Sequence, residues 1–504
     1  MHLTSTLERA ARIAPDKPAL VTDDTEITYA ELKDAARRAA TVFIDRGVAP
    51  GEAVAVLTYN TPGFVIAAFG AWYAGAVLVP VNHKLAGPEI AFAVQQSGAR
   101  LGVAAGELAA TADGATDIPW LTTEAGHDGL DSFDDLLATA APIPAAVDDD
   151  LDAPAQILYT SGTTSSPKGC VHTHRTLSTV SPLIATTLGF TSEERFLLSM
   201  PIWHAAPLND WLLTMISLAA TTVLQREYHP QHFLEAVQRH RITAFFGSPI
   251  AYLMPVQLAE AGRLDLADYD LSTVTRWLYG GASLGEPTAR LLIDSYRSEH
   301  FFQVYGMSEM GPVGTALYPH EQLSKAGSIG RGGMFGVDLR VVDADGTDVG
   351  PGGIGEIWLR ADTAMTGYLN NPEATAAAFE GPWFRTGDVA RIDDDGYLYV
   401  VDRLKDIIIV GGENVHSQEV EEVLRGHPRV ADVAVVGRPH PEWGETVVAA
   451  CVPSDGAEVT VEEVREFLAD KLARYKLPRE VLTVDALPRN PSGKIVKHVL
   501  RERL

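Results

Sequence analysis

The stretch ILYTSGTTSSPKGCVH, residues 157–172, sets an apolar run directly before two glycines, six serine or threonine hydroxyls and a single lysine, Lys168. The apolar run reads as the end of a buried strand, and the polar residues after it read as a loop. Backbone N–H groups, hydroxyls and one ammonium gathered at a strand end suit an anion, above all phosphate. The loop is not a Walker A sequence, because Lys168 stands between Pro167 and Gly169, where that motif requires a hydroxyl after its lysine. By itself the stretch is either a phosphate clasp or a solvated linker.

On both sides of it strands alternate with helices. Residues 26–47 place Thr28 and Glu31 at the spacing of a helix capping box, with Ala36, Ala40 and Phe43 following at helical spacing. AVAVL (53–57) and AVLVPV (76–81) read as buried strands around a helical GFVIAAFGAWYAG. ATTVLQ (220–225), HFLEAVQRHR and ITAFFGS repeat the strand, helix, strand order. This alternation predicts an α/β layer fold with a largely parallel sheet. From about residue 327 Gly-rich turns separate short strands, which predicts antiparallel hairpins or a small β-barrel-like part. After DDDGYLYVVDRLKDIIIV come a helix from Ser417, strands ADVAVVG and TVVAACVP, and a helix TVEEVREFLADKLARYK opening on Thr460 and Glu463, a second capping-box pair. These predict a small α+β C-terminal domain. The expected domains are therefore 1–401, a large α/β body of several subdomains, and 402–504.

The chain has 504 residues, too many for one ordinary core, and is 46% apolar and 21% charged. Its net charge of −26 argues against nonspecific binding to nucleic acid or to an anionic membrane. Cys170 and Cys451 are the only cysteines, which leaves no disulfide framework or Cys-rich metal site and suits a cytoplasmic setting. The N-terminal residues lack the apolar core of a signal peptide, and no apolar run reaches the roughly 20 residues of a membrane-spanning helix.

Further segments stand in order along the chain: PIWHAAP (201–207), YGGAS (279–283), YGMSE (305–309), GEIWLR (355–360), FRTGD (384–388), VDRLKDIIIVGGEN (401–414) and PRNPSGK (488–494). With YTSGTTSSPKG, this series resembles the adenylate-forming superfamily of acyl-CoA and aryl-CoA ligases, firefly luciferase and peptide-synthetase adenylation domains. The resemblance covers most of the chain. It implies a large N-terminal α/β body with a small mobile C-terminal domain, and an enzyme that uses ATP and Mg²⁺ to convert a carboxylic acid to an acyl-adenylate and then transfers the acyl group to coenzyme A.

Each matched segment then acquires an expected role. Thr160, Ser161, Gly162, Thr163, Thr164 and Lys168 hold the ATP phosphates. Lys494 is the catalytic lysine bridging the substrate carboxylate and the α-phosphate, two anions whose repulsion fixed cations must offset. Glu309 holds Mg²⁺, a hard cation wanting oxygen ligands. Tyr305 packs on adenine beside Gly306, Ser308 offers a hydroxyl to the α-phosphate, and Gly281 and Ala282 form a close-packed adenine wall. Asp388 accepts the ribose hydroxyls, Arg403 reaches the ribose or phosphates, and Asp402 is the hinge of the small domain. His204 gates the carboxylate pocket against the thiol channel. Lys84, Gly411, Gly412, Trp443, Tyr475 and Lys476 resemble coenzyme A contacts. His416 and Ser417 depart from the aromatic-Pro pair that ligases often carry there.

Trp203, Trp211, Phe246, Tyr252, Tyr279, Met307 and Met310 are expected to line the acyl pocket. Asp210 is the one formal charge in the segments around it, which disfavours a second carboxylate on the substrate and points to a neutral aromatic, alicyclic or medium-chain acid. An alternative acceptor, an amine or a carrier-protein pantetheine, stays open, as does a homodimer.

Overall fold

The structure, a computed structural model, describes residues 1–124, 129–160, 167–410, 413–441, 443–454, 456–489 and 495–502, with the backbone alone at residue 405. The strand containing the opening stretch, Pro154–Thr160, turns back antiparallel into Lys168–Thr173, with Thr160 opposite Lys168. Residues 161–166, which join the two, lie outside the described residues.

The chain divides into two compact units, the first formed by residues 1–160, 167–339 and 359–384, the second by 340–358 and 385–504. The boundary expected at 402 falls inside a paired strand, Leu398–Arg403. Residues 340–358 and 385–401 group with the expected C-terminal domain.

The first unit holds two eight-stranded sheets. One runs in the order Gly367–Tyr368, Lys168–Thr173, Pro154–Thr160, Val77–Pro80, Ala53–Leu57, Ala99–Ala105, Trp120–Thr123, Asp131–Ser132. It is parallel from Pro154–Thr160 onward and antiparallel before it. The other runs Gly314–Leu317, Phe301–Gly306, Arg276–Gly280, Ala244–Gly247, Arg195–Leu198, Thr221–Leu224, Pro18–Val21, Glu26–Thr28, parallel except for the outermost pair at each end. Strands such as Ala53–Leu57 are buried at every position because helices cover both faces, so their sequences are continuously apolar. Helix Tyr29–Asp45 starts where the sequence predicts, with the Thr28 and Glu31 side chains capping each other's N–H groups.

Strands Asp338–Val342, Ile354–Arg360 and Trp383–Ile392, most of whose residues belong to the second unit, lie side by side, with Leu398–Arg403 against the last. A further five-stranded sheet is ordered Glu413–Val415, Ile408–Val410, Gly444–Pro453, Val430–His440, with Glu480–Thr483 parallel to Gly444–Pro453. Helix Ser417–Leu424 and helix Val461–Leu468 pack their valines and leucines on its core. The latter is capped by Thr460 and Glu463 as predicted, but it ends at Leu468 instead of running to Lys476. Beyond it the chain folds back so that Leu472 joins the same apolar cluster, and Arg474–Lys476 form a separate 3₁₀ turn.

Candidate active site

Strand Lys168–Thr173 is where the site is assembled. On its outer side the two-residue strand Gly367–Tyr368 pairs with Val171 and Cys170, held by Thr366 N–H to the Val171 carbonyl (2.9 Å) and Leu369 N–H to the Gly169 carbonyl (2.8 Å). This sets the Tyr368 ring 4.8 Å beneath the Lys168 Nζ. The Tyr368 hydroxyl donates to Glu309 Oε1 at 3.0 Å. Burial and the Glu309 charge raise the Tyr368 pKa, so its proton stays in that bond. Lys168 and Glu309, expected from sequence to handle phosphate and metal, are thus joined through a tyrosine that local reading missed.

Glu309 owes its position to a tight chain reversal. Strand Phe301–Gly306 ends at a glycine whose added Cβ would lie 1.7 Å from the Pro312 carbonyl oxygen, so a side chain there is excluded. The 3₁₀ turn Ser308–Met310 follows, and its three carbonyls are all fastened: Ser308 by the His172 Nε2–H (2.8 Å), Glu309 by the Met365 N–H (2.8 Å), Met310 by the Thr363 hydroxyl (2.7 Å). His172 is fully buried, and burial pushes its pKa down to about 4, so the neutral ring keeps its proton on Nε2. Cys170 is buried too, and burial together with Glu309 raises its pKa, leaving an inert thiol.

Among the described residues no group of three or more His, Cys, Asp or Glu side chains is placed to hold a metal ion. Glu309, half-exposed with its carboxylate oriented by Tyr368, fits Mg²⁺ of the kind that takes one protein carboxylate and completes its shell with phosphate oxygens and water.

The adenine-side residues follow from the neighbouring strands Arg276–Gly280 and Phe301–Gly306. Gly281 has φ +82°, which favours glycine, and a Cβ there would meet nothing within 4 Å. Gly281 and Ala282, expected to form the adenine wall, are both exposed. Tyr305 and Ser308 are half-buried and Gly306 is exposed. Beneath them the Gln303 amide donates to Ser283 Oγ (2.9 Å) and the Tyr279 hydroxyl to Gln322 (2.7 Å), supports that sequence reading did not find.

The acyl-side residues separate into two groups. The Trp203 and His204 rings lie tilted with centroids 3.8 Å apart, and Trp211, carried on a π-helix, Ala206–Leu212, meets Phe246 at 5.2 Å. Such π turns are rare and frequent at functional sites. Met307 is half-buried beside Ser308. Tyr252 and Tyr279, by contrast, belong to an aromatic core with Trp277, Tyr296 and Phe301, and the Tyr252 hydroxyl is given to the Leu278 carbonyl (2.6 Å). Met310 is likewise fully buried. Packing accounts for these three. Asp210 is 4% exposed, its Oδ1 has no hydrogen-bond partner among the described residues, and burial raises its pKa well above the ordinary carboxylate value. Lys84, also in the first unit, is exposed.

In the second unit Asp388, 5% exposed, pairs with Arg403 across adjacent strands (Nε to Oδ1, 3.1 Å). Asp402 is fully buried, and its carboxylate accepts the Arg403 N–H (2.7 Å) and the N–H of Ser417 at the start of helix Ser417–Leu424. Trp443 and Tyr475 are exposed. Lys476 is committed to Glu419 (2.7 Å to each oxygen), whereas Arg479, not singled out from sequence, lies over the Trp443 ring at 4.7 Å. Ser161, Gly162, Thr163, Thr164, Gly411, Gly412 and Lys494 lie outside the described residues.

Known proteins match this chain over nearly its whole length. Residues 7–369 match the AMP-binding enzyme family and residues 419–494 the AMP-binding enzyme C-terminal domain. The chain is 37% identical over 502 residues to the long-chain-fatty-acid–CoA ligase FadD13 of Mycobacterium tuberculosis, covering 99% of this chain and 97% of that one. It is 38% identical over 497 residues to a feruloyl-CoA synthase of Amycolatopsis sp, covering 98% and 97%. The crystal structure of ATP-bound MatB from Rhodopseudomonas palustris superposes with a TM-score of 0.87 at 29% identity, covering 100% of this chain and 99% of that chain. The chain, so matched in both its parts, belongs to the AMP-binding enzyme family.

Proposed function

We propose that this AMP-forming acyl-CoA synthetase acts on a neutral aromatic, alicyclic or medium-chain acid and works in the cytoplasm. ATP activates the acid as an acyl-adenylate, and coenzyme A receives the acyl group. The observation that carries the reading is the Lys168–Tyr368–Glu309 constellation, whose lysine closely follows the hydroxyl-rich stretch in the sequence. It supplies an ammonium for phosphate and a carboxylate already oriented for a cation.

In the first step a carboxylate oxygen of the acid attacks the α-phosphorus and pyrophosphate leaves. Lys168 carries charge for the β- and γ-phosphates while Tyr368 keeps Glu309 aimed; Glu309 would hold Mg²⁺, which would supply further positive charge against the phosphates. Lys494 offsets the repulsion between the two approaching anions. Tyr305 packs on adenine, Ser308 faces the α-phosphate, Asp388 accepts from the ribose hydroxyls, and Arg403 steadies Asp388. In the second step the thiol displaces AMP, the small domain having turned at Asp402, with His204 between carboxylate pocket and thiol channel. Trp443, Tyr475 and Lys84 receive the nucleotide end of coenzyme A.

An apolar, aromatic surround whose one carboxyl, Asp210, is buried with its pKa raised supports an acid without a second charge. The test is a panel of carboxylic acids with ATP and coenzyme A, scored for pyrophosphate release and thioester mass. Amide formed from supplied amines, or acyl transfer to pantetheinylated carrier protein, without acyl-CoA would overturn the acceptor assignment. Strong turnover of dicarboxylic acids would overturn the substrate class.

A further inference from the structure

His83 follows strand Val77–Pro80 of one sheet, and Trp203 follows strand Arg195–Leu198 of the other. The two side chains meet: the Trp203 indole N–H donates to His83 Nδ1 at 3.0 Å. An indole nitrogen can only donate, so Nδ1 must be bare and the ring proton must sit on Nε2. That nitrogen faces Glu227 Oε1 at 3.6 Å and has no closer partner among the described residues. The His83 side chain is 6% exposed. Tyr59 packs on its ring at 4.6 Å, and Arg226, paired with Glu107 and Glu124, covers Tyr59 at 4.1 Å. Burial, Lys84 and Arg226 lower the His83 pKa against the opposing Glu227, so the neutral ring that the indole bond requires is also the favoured one. Protonation would set N–H against N–H and break the contact.

Beyond Trp203 the chain of contacts continues, because its ring lies against that of His204. We propose that His83 is a positioning residue: by accepting the Trp203 N–H it fixes the slab against which His204 rests, and it thereby serves the thioester-forming step. This rests on the reading of His204 as the gate before the thiol. Its place next to Lys84 also links the exposed loop expected to meet coenzyme A with the gate itself.

The experiment compares His83→Phe, which keeps a ring and loses the acceptor, with His83→Asn, whose amide oxygen can take the indole N–H. Adenylation is measured by ATP–pyrophosphate exchange, and thioester formation by single-turnover transfer from preformed acyl-adenylate to coenzyme A. His83→Phe is expected to slow transfer about five- to tenfold, the size of one neutral hydrogen bond, with exchange within about twofold of the parent. His83→Asn should restore transfer. Equal transfer rates for His83→Phe and His83→Asn, or an equal fall in both half-reactions, would overturn the proposal. His204→Ala, run alongside, separates the two claims. If it slows transfer while His83→Phe does not, this inference alone fails. If His204→Ala leaves transfer unchanged, the gate reading fails and takes the inference with it.

Discussion

Replacing Tyr368 by phenylalanine removes the hydroxyl that holds Glu309 Oε1 at 3.0 Å and keeps the ring that lies 4.8 Å from Lys168 Nζ. The deleted interaction is a hydrogen bond to a charged acceptor, worth about 1.5–3 kcal/mol net. Tyr368 is half-buried, so the lower part of that range applies. At about 1.4 kcal/mol per factor of ten, the expected loss is about tenfold. Because the hydroxyl orients Glu309 for a cation, the loss should fall on the apparent Mg²⁺ affinity. ATP–pyrophosphate exchange at saturating acid, titrated with Mg²⁺, should show the half-saturation point rising about tenfold with the plateau largely recovered. Tyr368→Ala removes the ring as well and should add about a two- to fivefold loss in ATP affinity through the lost cation–π contact. If Tyr368→Phe keeps both the Mg²⁺ midpoint and the rate within about twofold, the hydroxyl does not position Glu309 and the reasoning is refuted.

Gly306→Ala forces a methyl against the Pro312 carbonyl at 1.7 Å and should cost several degrees of Tm along with adenylation; an unchanged melting curve would contradict the tight reversal. Asp210→Asn removes a buried titration. Its folded pKa lies above the unfolded value, so the parent's stability is fullest below the unfolded pKa and falls as pH rises towards the folded one, by about 1.4 kcal/mol per unit between them. The Tm advantage of Asp210→Asn should therefore be larger at neutral pH than near pH 4, and a pH-independent offset would count against it. Arg479→Ala should raise KM for coenzyme A about two- to fivefold, more than Lys476→Ala, because Lys476 is held by Glu419 while Arg479 rests on the exposed Trp443. The reverse order would return the role to Lys476.

Elements defined by local chemistry were legible in the sequence. The capping pairs Thr28 with Glu31 and Thr460 with Glu463 start their helices where expected, because the signal lies within four residues. Buried strands such as Ala53–Leu57 declared themselves as apolar runs. Long-range pairing was hidden. Tyr368 reaches the site only because Gly367–Tyr368 adds to the edge of a strand some two hundred positions earlier, and two residues carry no periodicity to read. Lys476 looked free until Glu419, from another helix, proved to be its partner. Tyr252 and Tyr279 show a different limit, since an aromatic residue near a strand end reads the same whether it faces a ligand or a core.

The ammonium resting on the Tyr368 face has a bearing on nucleotide choice. A cation set over an aromatic face is held in place and partly shielded from water, so under the proposed role of Lys168 the charge for a triphosphate stands ready before it arrives. ATP, whose β- and γ-phosphates would draw on that charge, gains more from the preplacement than AMP, which carries neither.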